Sequence, residues 1–510
     1  MGIKILLLLL FFGSMIAIGL YSRKHASSVA GFVLGGRNVG PWLTAFAYGT
    51  SYFSAVVFVG YAGQFGWKYG LSSTWIGIGN AFIGSLLAWV ILGRRTRVMT
   101  KYLHAATMPD FFGKRFESNA LRIAASAIVF IFLVPYTASI YNGLSRLFGL
   151  AFDIPYSVCV IVMAALTGAY VILGGYMATA INDFIQGIIM LLGIVAVIGA
   201  VLSGQGGFMV AVGKLAELNS DVPVTMGQPG AFTSFFGPDP LNLLGVVILT
   251  SLGTWGLPQM VQKFYAIKSE KAISTGTVIS TVFAIVISGG CYFLGGFGRL
   301  FDNPSLYKED GSVIYDGVIP YMLSTLPDVL IGIVIVLVLS ASMSTLSSLV
   351  LTSSSTLTLD FIKGNLVKDM SEKKQLHVMQ GLIVVFIVIS VILALDPPTF
   401  IAQLMGISWG ALAGAFLAPF MYGLYWKKVT KASVWACFAT GIGITVFNMF
   451  FHYIQSPINA GAIAMLVGFV VVPVVSMLSP KMDKKKVEEI FRCYDNQVVA
   501  TSKKVLPEEK

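Results

Sequence analysis

The amino-acid sequence predicts an all-α polytopic membrane protein, and three observations carry that prediction. Apolar residues make up 56% of the 510-residue chain and charged residues only 11%, against roughly a quarter charged in ordinary soluble domains. Apolar runs of about 20 residues, the length that crosses a bilayer as a helix, recur from Ile3 to Leu478 with short polar breaks. These runs are apolar on every side and rich in Gly and Ala, whereas the strands of a membrane barrel would be short and alternating. A mean hydropathy of +0.82 agrees.

About 13 transmembrane helices follow, with approximate cores at 3–21, 40–63, 73–93, 121–149, 155–173, 182–203, 241–262, 273–297, 322–358, 376–395, 399–425, 432–454 and 459–479. Residues 1–480 read as a single transmembrane domain and 481–510 as a short cytoplasmic tail. The net charge of +11 raises nucleic acid as a partner, but cytoplasmic loops of membrane proteins collect Lys and Arg. With residue 1 outside, the outer loops and helix ends hold Lys4, Lys68, Arg146, Lys214, Arg299 and Lys308, and the rest of the 34 basic residues fall on inner segments. The charge is a topology signal: N-terminus outside, C-terminus inside, the lipid bilayer as surroundings and no nucleic acid. A cleaved signal peptide at 3–21 would instead deliver Arg23, Lys24 and Arg37 to the outside, against the same rule. The four cysteines and four histidines are scattered, without metal spacing or a paired nucleophile and base, so the expectation is no enzyme.

Two segments carry breaks. The second runs Tyr48-Gly49-Thr50-Ser51-Tyr52-Phe53-Ser54, and the seventh runs Thr250-Ser251-Leu252-Gly253-Thr254-Trp255-Gly256-Leu257-Pro258. Irregular backbone at membrane depth is tolerated where it is buried or lines a cavity, and transporters use paired broken helices to face substrate and ions. If segments 2 to 6 and 7 to 11 form two repeats, about 40–203 and 241–425, these are the first helix of each. An isolated Gly would only let helices approach closely; a matched pair five segments apart favours a site.

The ninth segment contains Ser340-Ala341-Ser342-Met343-Ser344-Thr345-Leu346-Ser347-Ser348, in which Ala341, Ser344, Thr345 and Ser348 share one helical face. Sodium, a hard cation, takes oxygen ligands. Two adjacent hydroxyls and a released carbonyl can supply three, and a broken helix opposite can supply two more. The same hydroxyls can equally bond back to their own helix or bridge to a neighbour.

Four stretches, in order and spacing, carry a resemblance over nearly the full length. They are Phe32-Val33-Leu34-Gly35-Gly36-Arg37; Gly174-Gly175-Tyr176-Met177-Ala178 with Asn182-Asp183-Phe184-Ile185-Gln186; Trp255-Gly256-Leu257-Pro258-Gln259; and Met343-Ser344-Thr345-Leu346-Ser347. The chain resembles the sodium/solute symporter family, which includes proline, pantothenate, sugar, iodide and monocarboxylate symporters. The resemblance implies an inverted 5+5 repeat, leucine-transporter-like core in a multi-pass protein of the plasma membrane. It also implies Na+ as coupling ion, bound by the carbonyls of Thr50, Phe53 and Ala341 and the hydroxyls of Ser344 and Thr345. The matching acid in the family, here Asp183, lies on the sodium exit path or at a second sodium site, and that reading is favoured over the alternative that Asn182 or Asp183 only caps the helix.

The small organic solute is expected between the broken helices, with Tyr52, Ser54 and Gln64 on one side and Thr254 and Trp255 on the other. Gln403, Ser408 and Trp409 on the last core helix complete the candidates. Where the family's proline symporters carry an acid after the first-helix Ser, this chain has Tyr52, and Tyr52-Phe53-Ser54-Ala55-Val56-Val57 reads nearer the pantothenate, monocarboxylate and iodide branches. The expected activity is sodium-driven import of a carboxylate-bearing solute by alternating access. The alternatives are a proline-like amino-acid symporter, a proton-coupled or exchange transporter, or a membrane sensor on the same fold.

Overall fold

A computed structural model describes residues 2–51, 53–152, 154–367 and 369–498. Among them the regular structure is helical, and β pairing is confined to isolated bridges such as Val39 with Ile267. Among the described residues ten helices are long and apolar enough to cross a membrane, and the apolar helix Gly2–Ser22 precedes them. Two of the ten, Val56–Tyr102 and Tyr156–Gly204, run for 47 and 49 residues, more than twice what a bilayer requires. Each contains a left-handed glycine that interrupts the helical backbone, Gly70 (φ +59°) and Gly175 (φ +53°), so each holds parts of two segments that the sequence separates. A Cβ on Gly70 would also come within 2.2 Å of the Phe232 carbonyl oxygen.

Burial divides the helices into a centre and a shell. In its most apolar stretch Ile401–Tyr425 is 89% buried and Val329–Leu366 72%, but Glu372–Leu395 and Lys431–Phe451 only 33%. The shell exposes Val384, Val385, Val388 and Ile392, surface that favours lipid over water by roughly 25 cal/mol per Å². The polar residues of the Val329–Leu366 helix take the opposite course: Ser340, Ser342, Ser344, Thr345, Ser347 and Ser348 are all buried among neighbouring helices. Hydroxyls facing hydrocarbon would lose their partners, so sequence polarity decides which face turns inward.

Both predicted breaks are present. Pro41–Thr50, with Pro at its first turn, ends ahead of Phe53 and Ser54, which are not helical, and the helix resumes as a π turn at Val56–Tyr61. The Ala55 N–H, left over by the break, donates to Ser342 Oγ at 3.2 Å. In the second broken helix, Pro240–Leu252 tightens through Gly253–Trp255, passes an extended Leu257 (φ −82°, ψ 121°), and restarts at Pro258–Ala266. Pro258 suits that restart because it lacks the N–H that a first-turn residue cannot satisfy. One carbonyl ties the two broken helices together: Gly84 O accepts from Tyr48 Oη at 2.7 Å and from Thr254 Oγ1 at 3.0 Å.

The loop 204–240 is less irregular than its Gly and Pro content predicts. It contains the helix Phe208–Glu217, which buries Ala211 and Leu215 against Phe232 and Phe297. A short amphipathic helix entered through Gly207 pairs most of its own backbone while covering apolar surface.

Candidate functional site

The C-terminal end of Pro41–Thr50 points its last carbonyls into the bundle, where their partial negative charge favours a cation. Ser344 Oγ lies 3.0 Å from Thr50 O and 3.0 Å from Ala341 O. Thr345 Oγ1 lies 3.0 Å from Thr50 O and 3.1 Å from Ala341 O. Each hydroxyl has one proton, so two protons face four short oxygen contacts. The cluster therefore has more acceptor capacity than donors, as a cation requires. Phe53 and Ser54 line one small cavity with Ala341, walled by Met190, Ile194 and Leu337. The helix spacing of Ala341, Ser344 and Thr345 thus becomes a real convergence on the first broken helix.

Asp183 is buried, and neither of its carboxylate oxygens makes a hydrogen bond within the described residues. Lys263 Nζ approaches Oδ2 at 3.9 Å. The sequence counts Lys263 among the basic residues of the inner segments, with nothing to mark it as buried. It lies on Pro258–Ala266, 3% exposed, because the second broken helix continues past the predicted core.

The solute candidates separate into groups. Tyr52 lies outside the described residues. Ser54 is buried beside the Tyr136 hydroxyl, and Trp409 meets the Tyr136 ring edge to face with centroids 5.8 Å apart. Trp409 also packs on Gly253, where a Cβ would come within 2.8 Å of the indole. Gln64 and Gln403 sit further out, in a vestibule of about 770 Å³ that also includes Lys68, Asp239 and Arg299. Three candidates have their polar atoms committed elsewhere: Thr254 to Gly84 O, Trp255 Nε1 to Ile83 O at 2.9 Å and Ser408 Oγ to Phe132 O at 2.5 Å. Sequence reasoning passed over Tyr136 and Tyr61. Tyr61 has a buried hydroxyl without a hydrogen-bond partner among the described residues, and Tyr136 is its ionisable neighbour. Tyrosine in an apolar run reads as packing, and no local signal separates the two uses.

Arg146 does not simply reach for the surface. It bonds Asn142 Oδ1 at 2.8 Å and faces Asp316 at 4.0 Å. Asp316, on the short helix Tyr315–Ser324, accepts from the Ile401 N–H at 3.3 Å and so caps the last core helix. Burial pushes its carboxyl up to about 6, against the opposing pull of Arg146 and the Ile401 N–H.

The sequence pattern of the sodium:solute symporter family matches residues 32–441. The chain belongs to that family. It is therefore a multi-pass membrane transporter, with sodium as coupling ion and a small solute as cargo. Relatives include the osmoregulated proline transporter OpuE of Bacillus subtilis, 27% identical over 97% of this chain and 98% of that protein. The sodium/proline symporter of Staphylococcus aureus is 30% identical over 94% of this chain and 93% of its own length. These names correct the expectation drawn from Tyr52 that the chain stands nearer the pantothenate and monocarboxylate branches: one residue beside a helix break weighs less than likeness along the whole chain. Among solved structures, a Na+-coupled sialic acid symporter in a substrate-bound, outward-open state superimposes with a TM-score of 0.75 at 16% identity, covering 94% of this chain and 99% of that one. Mhp1, a nucleobase-cation-symport-1 family transporter, gives 0.51 at 13% identity, covering 91% and 98%. Both likenesses concern the fold of this symporter.

Proposed function

We propose that this symporter imports proline, or an amino acid close to it, across the plasma membrane, coupled to sodium bound by Thr50, Phe53, Ala341, Ser344 and Thr345. The observation that carries the sodium site is the convergence of both hydroxyls on the carbonyls of Thr50 and Ala341 at 3.0–3.1 Å. Proline is favoured by the names of the relatives that match along nearly the whole chain. The helix breaks suit a zwitterion: the restarting helices at Val56 and Pro258 offer positive ends to a carboxylate, and the helix ending near Trp255 offers a negative end to an amine. Trp409, Tyr136 and Ser54 supply an apolar wall with polar edges for the ring.

In this reading the chain is one transporter domain with its N-terminus outside. Sodium enters first, draws the broken helix and the serine-rich helix together, and preorganises the solute site. Closure of an outer gate and rocking of the bundle then release both inward. One sodium charge crossing gains about 2.3 kcal/mol per 100 mV of membrane potential, ample for more than tenfold accumulation. The test is uptake of labelled proline, other amino acids and carboxylates into proteoliposomes, with and without an inward sodium gradient. Sodium-dependent accumulation of proline supports the reading; accumulation indifferent to sodium, or of pantothenate or a monocarboxylate in preference to proline, overturns it.

A further inference from the structure

One helical turn beyond the Ser344–Thr345 cluster, the serine-rich helix presents Ser348, and the residue after Thr50 is Ser51. Their hydroxyl oxygens lie 3.0 Å apart. Lys263 Nζ donates to Ser348 Oγ at 3.0 Å, stands 3.9 Å from Asp183 Oδ2, and lies 5.1 Å from the centre of the Tyr176 ring. Asp183, Ser51, Ser348 and Lys263 are all buried. A carboxylate, the Ser348 hydroxyl and an aromatic face thus surround one position, with the Ser51 hydroxyl behind Ser348, and the group standing in it is an ammonium.

A carboxylate at membrane depth needs a neutralising partner, because an unpaired charge there is strongly unfavourable. The partner can be a mobile ion or a fixed one. The ammonium of lysine is a compact point charge with three donors, which makes it a fair stand-in for a hard cation among oxygens. We propose that Lys263 is a tethered cation filling a second cation position, so that each transport cycle carries one sodium ion and not two. Lys263 stays with the protein through the cycle, and the pair it forms with Asp183 leaves no net charge beside the sodium that does move. The inference rests on the Ser344–Thr345 sodium site proposed above.

The test is binding of radiolabelled sodium to the purified full-length symporter, beside the sodium-to-solute flux ratio in proteoliposomes. Wild type is expected to bind one sodium per chain, with a Hill coefficient of about 1 and a flux ratio of one. Lys263→Met keeps the length of the side chain and removes its charge, vacating the position beside Asp183; it is expected to bind two sodium ions, with the Hill coefficient rising toward 2. Lys263→Met/Asp183→Asn is expected to return to one. Two sodium ions bound by wild type overturn the inference, and so does a Lys263→Met protein that folds and still binds one. If Lys263→Met does not fold, the wild-type count of one or two still decides. Ser344→Ala separates the two readings: if it leaves wild-type sodium binding unchanged, the underlying sodium site fails, whereas loss of one of two bound ions sinks only the role of Lys263.

Discussion

Replacing Ser344 and Thr345 by alanine tests the core of the mechanism. Each hydroxyl stands within 3.1 Å of both the Thr50 and Ala341 carbonyls, so each substitution takes one ligand from the cluster and leaves the carbonyls in place. A hydrogen bond or ligand contact to a charged partner is worth about 1.5–3 kcal/mol. At about 1.4 kcal/mol per decade, either single substitution raises the half-saturating sodium concentration ~10–150-fold. The two hydroxyls share both carbonyls, so their effects are coupled and do not simply add. The double variant is expected to weaken sodium by at least ~100-fold on the same scale. The assay is initial uptake against external sodium in proteoliposomes. Ser354→Ala serves as control, since Ser354 Oγ bonds back to Val350 O at 2.8 Å on the same helix and is expected to leave sodium affinity unchanged. A double variant with the sodium dependence of wild type would refute the reasoning.

The Tyr136→Phe variant removes the hydroxyl beside Ser54 and Trp409; the solute KM should rise by roughly the 2- to 13-fold that 0.5–1.5 kcal/mol implies, with sodium binding in the absence of solute unaltered. For Asp316, whose carboxyl is raised to about 6, this conformation holds the proton more tightly than an opened one. Its contribution is therefore complete below the ordinary aspartate range and lost as pH climbs from about 4 to about 6, an effect of order 3 kcal/mol. Melting curves across that range should lose this step in Asp316→Asn. Gly66→Ala should abolish folded protein in the membrane, as a Cβ there would lie 2.0 Å from the Gly295 carbonyl oxygen, whereas Gly199→Ala, with nothing within 4 Å, should be silent; yield by size-exclusion chromatography distinguishes them.

What the sequence by itself determined is everything that depends on local order. Hydropathy marks the helices because a bilayer accepts a backbone only when it bonds to itself, and Gly253, Gly256 and Pro258 announce a break because glycine costs a helix backbone entropy and proline has no N–H to give. The three-and-four spacing puts Ala341, Ser344 and Thr345 on one face for the same geometric reason. Only the tertiary structure decided which residues meet across the two repeats. Lys263 looks like one more loop charge until the second broken helix carries it to Asp183, and Tyr136 like one more core aromatic until Trp409 packs on it. Arg146 looks like one more charge at a helix end until Asp316 faces it from a loop helix. Such meetings join residues tens to hundreds apart in the chain, and they are set by how whole helices pack, where a shift of one turn would replace every partner. Periodicity fixes which face of a helix turns inward; packing alone fixes what that face finds there.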